Sequence, residues 1–330
     1  MSNRYEITNI RALEILDSRG NPTLQVEVIT GGGTGLGKVP SGASTGEHEA
    51  VALRDGDETR YAGKGVLMAI NNVENVLRKP LLGLDCREQQ QIDGLLCALD
   101  GTSNKSRLGA NALLGVSLAV AAAAACCNGQ PLYQYLRSQE RYVMPVPMMN
   151  IINGAKHAGN QLAIQEFHIM PIGFDDFLEA LRAGVETYHI LKKVLLKKYG
   201  ASSVNIGDEG GFAPPMTESR EALNVILTSI EEAGYTPRKE IALAIDAAAS
   251  EFFAANRYSI DGHQWTPREL SDYYLTLCEE YPLVSIEDPF SENDFDSFAD
   301  LTRKVGGSVQ IVGDDLFVSN PERIQRGIEI

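Results

Sequence analysis

Three apolar runs in this sequence end in acids. Ile241-Ala242-Leu243-Ala244-Ile245 is followed by Asp246, and Leu283-Val284-Ser285-Ile286 by Glu287 and Asp288. Val309-Gln310-Ile311-Val312 is followed, after Gly313, by Asp314 and Asp315. Short, fully apolar runs read as strands of a parallel sheet, and an α/β barrel carries its chemistry at the C-terminal ends of its strands. If these strands are neighbours, Asp246, Glu287 and Asp314 converge on one point. Such a cluster repels itself unless a cation neutralises it, and all-oxygen donors favour a hard ion such as Mg²⁺. A single acid in such a place is most simply a loop start or a helix N-cap, but three in succession weaken that reading. Glu287 lies 41 residues after Asp246, and Asp314 lies 27 after Glu287. Each gap roughly suits one βα unit, since a βαβ unit takes ~30 residues or more.

Two further acids are candidates for proton work. Glu209 lies in Gly207-Asp208-Glu209-Gly210-Gly211, where flanking glycines suit a tight loop that exposes a carboxylate. Glu166 stands just before an apolar run, which puts it at the wrong end of a parallel strand and at the active end of a reversed one. Two carboxylates beside a metal can serve as acid and water-positioning partner. His157 occupies a loop of small residues, Gly154-Ala155-Lys156-His157-Ala158-Gly159. Ser41-Gly42-Ala43-Ser44-Thr45-Gly46 lacks the Gly-Lys-Ser/Thr ending of a P-loop and reads as a mobile-lid candidate rich in hydroxyls and backbone N–H groups. Gly31-Gly32-Gly33 is a turn without the strand–turn–helix context of a nucleotide site.

Two kinds of organisation position these groups. Residues 5–30 alternate like strands, with Leu24, Val26 and Val28 separated by Gln25 and Glu27, and residues 63–135 follow a helical pattern. This is an α+β region. Past the polar hinge Ser138-Gln139-Glu140-Arg141, apolar runs at 147–152, 167–171, 241–245, 283–286 and 309–312 alternate with helical stretches such as 174–199 and 218–234. The expected architecture is α/β: an α+β domain over residues 1–140 and a partial α/β barrel over 141–330, with about five of eight strands.

The 330 residues carry 29 Lys plus Arg against 44 Asp plus Glu, a net charge of −15, which argues against nucleic-acid or anionic-membrane binding. The most apolar stretch, Ala112 to Cys127, falls short of the ~20 residues of a membrane span. Its alanines suggest a helix packed inside the protein. Five cysteines without CxxC spacing, and an N-terminus without a signal-peptide core, indicate free thiols in a cytoplasmic setting.

The sequence resembles the enolase family. The matching motifs are Leu16-Asp17-Ser18-Arg19-Gly20-Asn21-Pro22-Thr23, Ser41-Gly42-Ala43-Ser44-Thr45-Gly46, Leu53-Arg54-Asp55-Gly56-Asp57 and Leu108-Gly109-Ala110-Asn111-Ala112. They continue through Gln165-Glu166-Phe167, Gly207-Asp208-Glu209-Gly210-Gly211, Ser285-Ile286-Glu287-Asp288-Pro289 and Gly313-Asp314-Asp315-Leu316, in family order along nearly the whole chain. The resemblance implies an N-terminal capping domain and a barrel whose second strand runs antiparallel, which turns Glu166 to the active end. It implies Mg²⁺-dependent dehydration of 2-phosphoglycerate to phosphoenolpyruvate in glycolysis. Asp246, Glu287 and Asp314 would hold one Mg²⁺ and Ser44 would contribute to a second. Glu209 would be the general acid with Glu166 as its partner. His157 and Gln165 would face the substrate with Glu166, as would Ser41 and Ala43 of the loop. A homo-oligomer, a dimer or higher, is implied as well.

The same resemblance calls for a lysine base on a later strand, a Ser-His-Arg-Ser phosphate grip and a further lysine, none of which occurs in these residues. After Asp315 the sequence makes one more helix start, with Asn320 as N-cap and Pro321 at N1. Lys192, Lys193, Lys197 and Lys198 read as a solvated helical cluster, Lys304 precedes a strand, and Lys156 sits in a loop. The chain is therefore expected to be C-terminally truncated, to bind Mg²⁺ weakly at best, to leave an open sheet edge and to show no dehydration by itself. A non-catalytic, enolase-derived binding or scaffold protein is the alternative reading. A different metal-dependent barrel lyase fits the 41–46 and 207–211 motifs poorly.

Overall fold

The computed structural model describes residues 3–42 and 45–330, with the backbone alone at 156 and 157. In chain order the strands are β1 (Ile7–Leu16), β2 (Pro22–Thr30), β3 (Thr34–Lys38), β4 (Met149–Asn153), β5 (Glu166–Pro171), β6 (Ile241–Asp246), β7 (Phe253–Ala254), β8 (Arg257–Ile260), β9 (His263–Trp265), β10 (Leu283–Glu287) and β11 (Gln310–Val312). The helices are α1 (Leu67–Asn72), α2 (Arg78–Leu81), α3 (Gln89–Asp100), α4 (Ala110–Cys127), α5 (Leu132–Leu136), α6 (Ala155–Ala158), α7 (Phe177–Tyr199), α8 (Ser219–Glu232), α9 (Pro267–Glu280), α10 (Phe295–Val305) and α11 (Pro321–Glu329). Two compact units divide the chain: Met1–Gly42 with His48–Tyr142, and Ala43–Glu47 with Val143–Ile330.

In the first unit, β1, β2 and β3 form an antiparallel meander. Its apolar residues Ile10, Leu24, Val26 and Val28 are buried against α4. By length and composition α4 could cross a membrane, yet 61% of it is buried inside the unit. The approach is close because β3 carries glycine where the helix crosses. A Cβ on Gly35 would fall 2.1 Å from the Ala123 backbone nitrogen, and one on Gly37 would fall 2.3 Å from the Gly115 carbonyl oxygen.

The second unit is built on one mixed sheet of five strands in the order β11-β10-β6-β5-β4. These are the five expected strands. β6, β10 and β11 are parallel neighbours, and β5 is antiparallel to both β4 and β6. The reversed strand thereby settles which end of the sheet Glu166 occupies. Phe167, Ile169, Leu243, Ile245 and Ile286 lie in a buried core with α8, α9 and α10 residues such as Ile226, Leu277 and Leu301. Tight caps fix several helices. Thr266 and Glu269 close a reciprocal capping box at α9, and Asn320 caps α11 through the Glu322 N–H with Pro321 at N1.

One feature gave no clear signal in the sequence. Between β6 and α9 the chain makes a small three-stranded meander, β7-β8-β9, pinned by the fully buried Tyr258. Its strands are two to four residues long, too short for an alternation to register.

Candidate functional site

Strand register assembles the acids. Glu287 is paired with Asp246 on one side and with Val312, two residues before Asp314, on the other. Across the antiparallel seam Glu166 is paired with Asp246, and Asn153 with Glu166. The side chains of Asn153, Glu166, Asp246 and Glu287 therefore share one face and one end of the sheet. Gln165 packs beside them, its backbone N–H on the Asp246 carbonyl at 3.1 Å and its amide 3.4 Å from Asp246 Oδ2.

The carboxylates feel one another. Burial, and then the charges of Glu287, Asp288 and Glu166, push the Asp246 carboxyl well above its usual range. Glu287 is raised by burial and then by the charge of Asp314. Asp288, 3% exposed, is pushed up to about 7, mainly by burial, although the N–H of Asp315 donates to it at 2.8 Å. An all-carboxylate set held at this energetic disadvantage fits a hard divalent cation by its donor chemistry. Among the described residues, however, no three His, Cys, Asp or Glu side chains stand together at ligand spacing. The acids are gathered, and a closed cage is not preformed.

Glu209 is exposed on a turn that the rest of the unit anchors firmly. The Gly207 N–H bonds the Gly211 carbonyl at 2.8 Å, and Gly210 adopts φ +87°, a conformation open to glycine at no steric cost. Beyond the turn, buried Phe212 exchanges backbone hydrogen bonds with Ile151 and Asn153 and stacks on Tyr188 at 4.4 Å. The Tyr188 hydroxyl donates to the Gly210 carbonyl at 3.1 Å.

The remaining expected residues are distributed as follows. His157 lies in α6, and nothing is described of its side chain or that of Lys156. Ala43 and Ser44 lie outside the described residues. Just after them, the Glu47 N–H donates to Glu292 Oε2 at 2.9 Å, and Gly46 packs against Val318 and Asp315, on the turn that carries Asp314. Ser41 belongs to the first unit, where its hydroxyl accepts from Arg54 and its carbonyl from Arg19. The other lysines weighed as bases are engaged elsewhere or face solvent. Lys198 pairs with Glu221 at 3.1 Å, Lys304 pairs with Asp300 at 2.8 Å, and Lys192, Lys193 and Lys197 are exposed on α7.

Two residues escaped the sequence reading. Asp288 was visible beside Glu287, but its burial and its role as anchor of the 314–316 turn were not. His168 bonds Glu166 Oε2 through Nε2 at 2.9 Å. Its spacing of two residues from Glu166 on a strand was the available signal, since such residues share a face.

An α+β unit followed by a sheet that carries acids at its parallel strand ends, with one reversed strand, defines the class of carboxylate-lined α/β-barrel proteins. Comparisons with known proteins narrow this. Residues 7–136 match the family model "Enolase, N-terminal domain", and residues 141–330 match "Enolase, C-terminal TIM barrel domain". The enolase of Methanocaldococcus jannaschii is 58% identical over 331 residues, covering all of this chain and 77% of the relative. The enolases of Thermococcus kodakarensis and Pyrococcus furiosus are 58% and 57% identical over 332 residues, with the same coverage. The chain belongs to the enolase family, whose members are glycolytic lyases, phosphopyruvate hydratases.

Proposed function

We propose that this chain carries the metal-binding and acid side of an Mg²⁺-dependent dehydration of 2-phosphoglycerate to phosphoenolpyruvate. The observation that supports this most directly is the register of β5, β6 and β10, which lines up Glu166, Asp246 and Glu287 on one face. In this reading residues 1–140 form the N-terminal α+β domain and 141–330 the partial barrel domain, in a cytoplasmic homo-oligomer.

The difficulty of the reaction is to remove a proton from a carbon next to a carboxylate that is already negative. Bound Mg²⁺ supplies positive charge against that carboxylate. Asp246, Glu287 and Asp314 would hold the first ion, and Ser44, outside the described residues, would contribute to a second. Glu209, on its anchored turn, would give a proton to the departing hydroxide, with Glu166 as its partner. Gln165 and His157 would face the substrate. The carbon acid still needs a base, and no lysine with a described side chain stands among these acids. The polypeptide of these 330 residues is therefore expected to bind the metal without turning substrate over.

Two measurements on the purified chain test this. Mn²⁺ titrated in place of Mg²⁺ and followed by electron paramagnetic resonance should bind, and Glu287→Gln should weaken that binding at least tenfold. Product absorbance with 2-phosphoglycerate should stay at background. Absence of binding at millimolar metal would defeat the metal assignment, and turnover at enzyme rates would defeat the assignment of the missing base. Metal binding lost by Glu287→Gln would also disfavour a purely scaffolding role.

A further inference from the structure

Directly beneath the carboxylate layer runs a second layer of cross-strand partners: Asn150, His168, Ala244 and Ser285 on β4, β5, β6 and β10. His168, Ala244 and Ser285 are at most 6% exposed. A register shift between Asn150 and Ile152 turns both Asn150 and Asn153 to this face, although they are three residues apart. A buried histidine among apolar strands is costly unless both ring nitrogens are occupied. One is: Nε2 lies 2.9 Å from Glu166 Oε2, with both side chains largely shielded from solvent. A carboxylate only accepts, so Nε2 carries the proton of that bond.

The other nitrogen points to what completes the layer. His168 Nδ1 is buried without a partner, as are both side-chain polar atoms of Asn150 and of Asn153. These five buried atoms lie on one face, on neighbouring strands, and they include acceptors and donors in the mixture that ordered water satisfies. Gly211 closes this region on the side of the Glu209 turn. A Cβ there would stand 2.6 Å from Asn153 Oδ1 and 2.8 Å from Asn150 Oδ1.

We propose that His168 is a positioning residue for Glu166. Its Nε2–H holds the carboxylate toward Asp246 and Glu287, while ordered water held by Asn150 and Asn153 donates to Nδ1 and fixes the ring and its tautomer. The role rests on the reading of Glu166 as a working acid. The pair itself is read without metal or substrate, so either claim can fail alone.

The test uses the 330-residue chain labelled with ¹⁵N-histidine. It has five histidines, and the His168 signal is assigned by its loss in His168→Gln. Long-range ¹H–¹⁵N correlation should show a single Nε2–H tautomer with Nδ1 in a hydrogen bond, and Glu166→Gln should move the Nε2 resonance. Crystal structures of two variants complete the test. In His168→Leu the native Glu166 rotamer should lose about tenfold in population relative to its alternatives, the scale of one charge-assisted hydrogen bond. His168→Gln should restore it, because its amide N–H reaches a similar point. Two results would overturn the proposal: an exchange-averaged His168 ring indifferent to Glu166→Gln, or Glu166 equally placed in the Leu and Gln variants. If His168→Leu does not fold, the ring signature and the Gln variant still decide.

Discussion

Replacing Asp288 by asparagine should stabilise the metal-free protein at alkaline pH and flatten its response to acid. The Asp288 carboxyl is buried, is pushed from the ordinary 3.8 up to about 7, and neighbours Glu287 and Asp315. A carboxyl whose pKa is higher in the folded state binds its proton more tightly there. Stability is then lost as pH rises from the unfolded value through the folded one, and it is regained on acidification. With those two values, Asp288 costs the fold about 4 kcal/mol at pH 8 and less than 2 kcal/mol at pH 5. The native protein should therefore gain about 2–3 kcal/mol from this group between pH 8 and pH 5. Burial and neighbouring acids act on Asp246 and Glu287 in the same direction; both remain in the two proteins, and loss of the Asp288 charge relieves Asp246, which adds to the gain of the variant rather than opposing it. Asp17, Asp85 and Asp100 are held below the usual carboxylate range, so their stabilisation is lost only in more acidic solution, outside this window. Asparagine keeps an oxygen for the Asp315 N–H, accepted at 2.8 Å, and sets an amide against the weaker 3.4 Å contact from Leu316. That mismatch costs about 1 kcal/mol. The net expectation is a gain of about 3 kcal/mol at pH 8, shrinking to less than 1 kcal/mol at pH 5. Urea denaturation in EDTA at pH 8, 7, 6 and 5 measures both curves. Equal pH slopes for the two proteins, or an asparagine variant less stable than native at pH 8, would refute the reasoning.

Two packing predictions accompany it. Phe212→Ala should cost about 3–5 kcal/mol, because a ring 1% exposed and stacked on Tyr188 leaves a cavity under the Glu209 turn. Urea denaturation reads the cost, and amide exchange at 207–211 should quicken with it. Gly35→Ala should cost about 1–3 kcal/mol in the first unit, since the new methyl meets the Ala123 and Ala119 backbone at 2.1 and 2.2 Å and must part β3 from α4. A melting temperature unchanged by that substitution would contradict the close approach.

The sequence alone determined much of this protein. Apolar runs ending in Asp246 and Glu287 announced buried parallel strands, because a strand buried on both faces must be apolar until it reaches the sheet end, whereas the run before Asp314 became the half-exposed edge strand β11. The helix start at Asn320 was readable for a similar reason: a cap is satisfied by residues a few positions away. Glu166 was ambiguous as sequence, since the direction of a strand is a property of its neighbours, and only the antiparallel pairing of β5 with β4 and β6 turned it toward Asp246. The same holds for what the sequence left silent. Whether Asp288 is buried, whether His168 meets Glu166, and whether Asn150 and Asn153 share a face depend on a register shift and on chain segments tens of residues apart. Local chemistry placed the acids at the strand ends, and long-range packing decided which of them face one another.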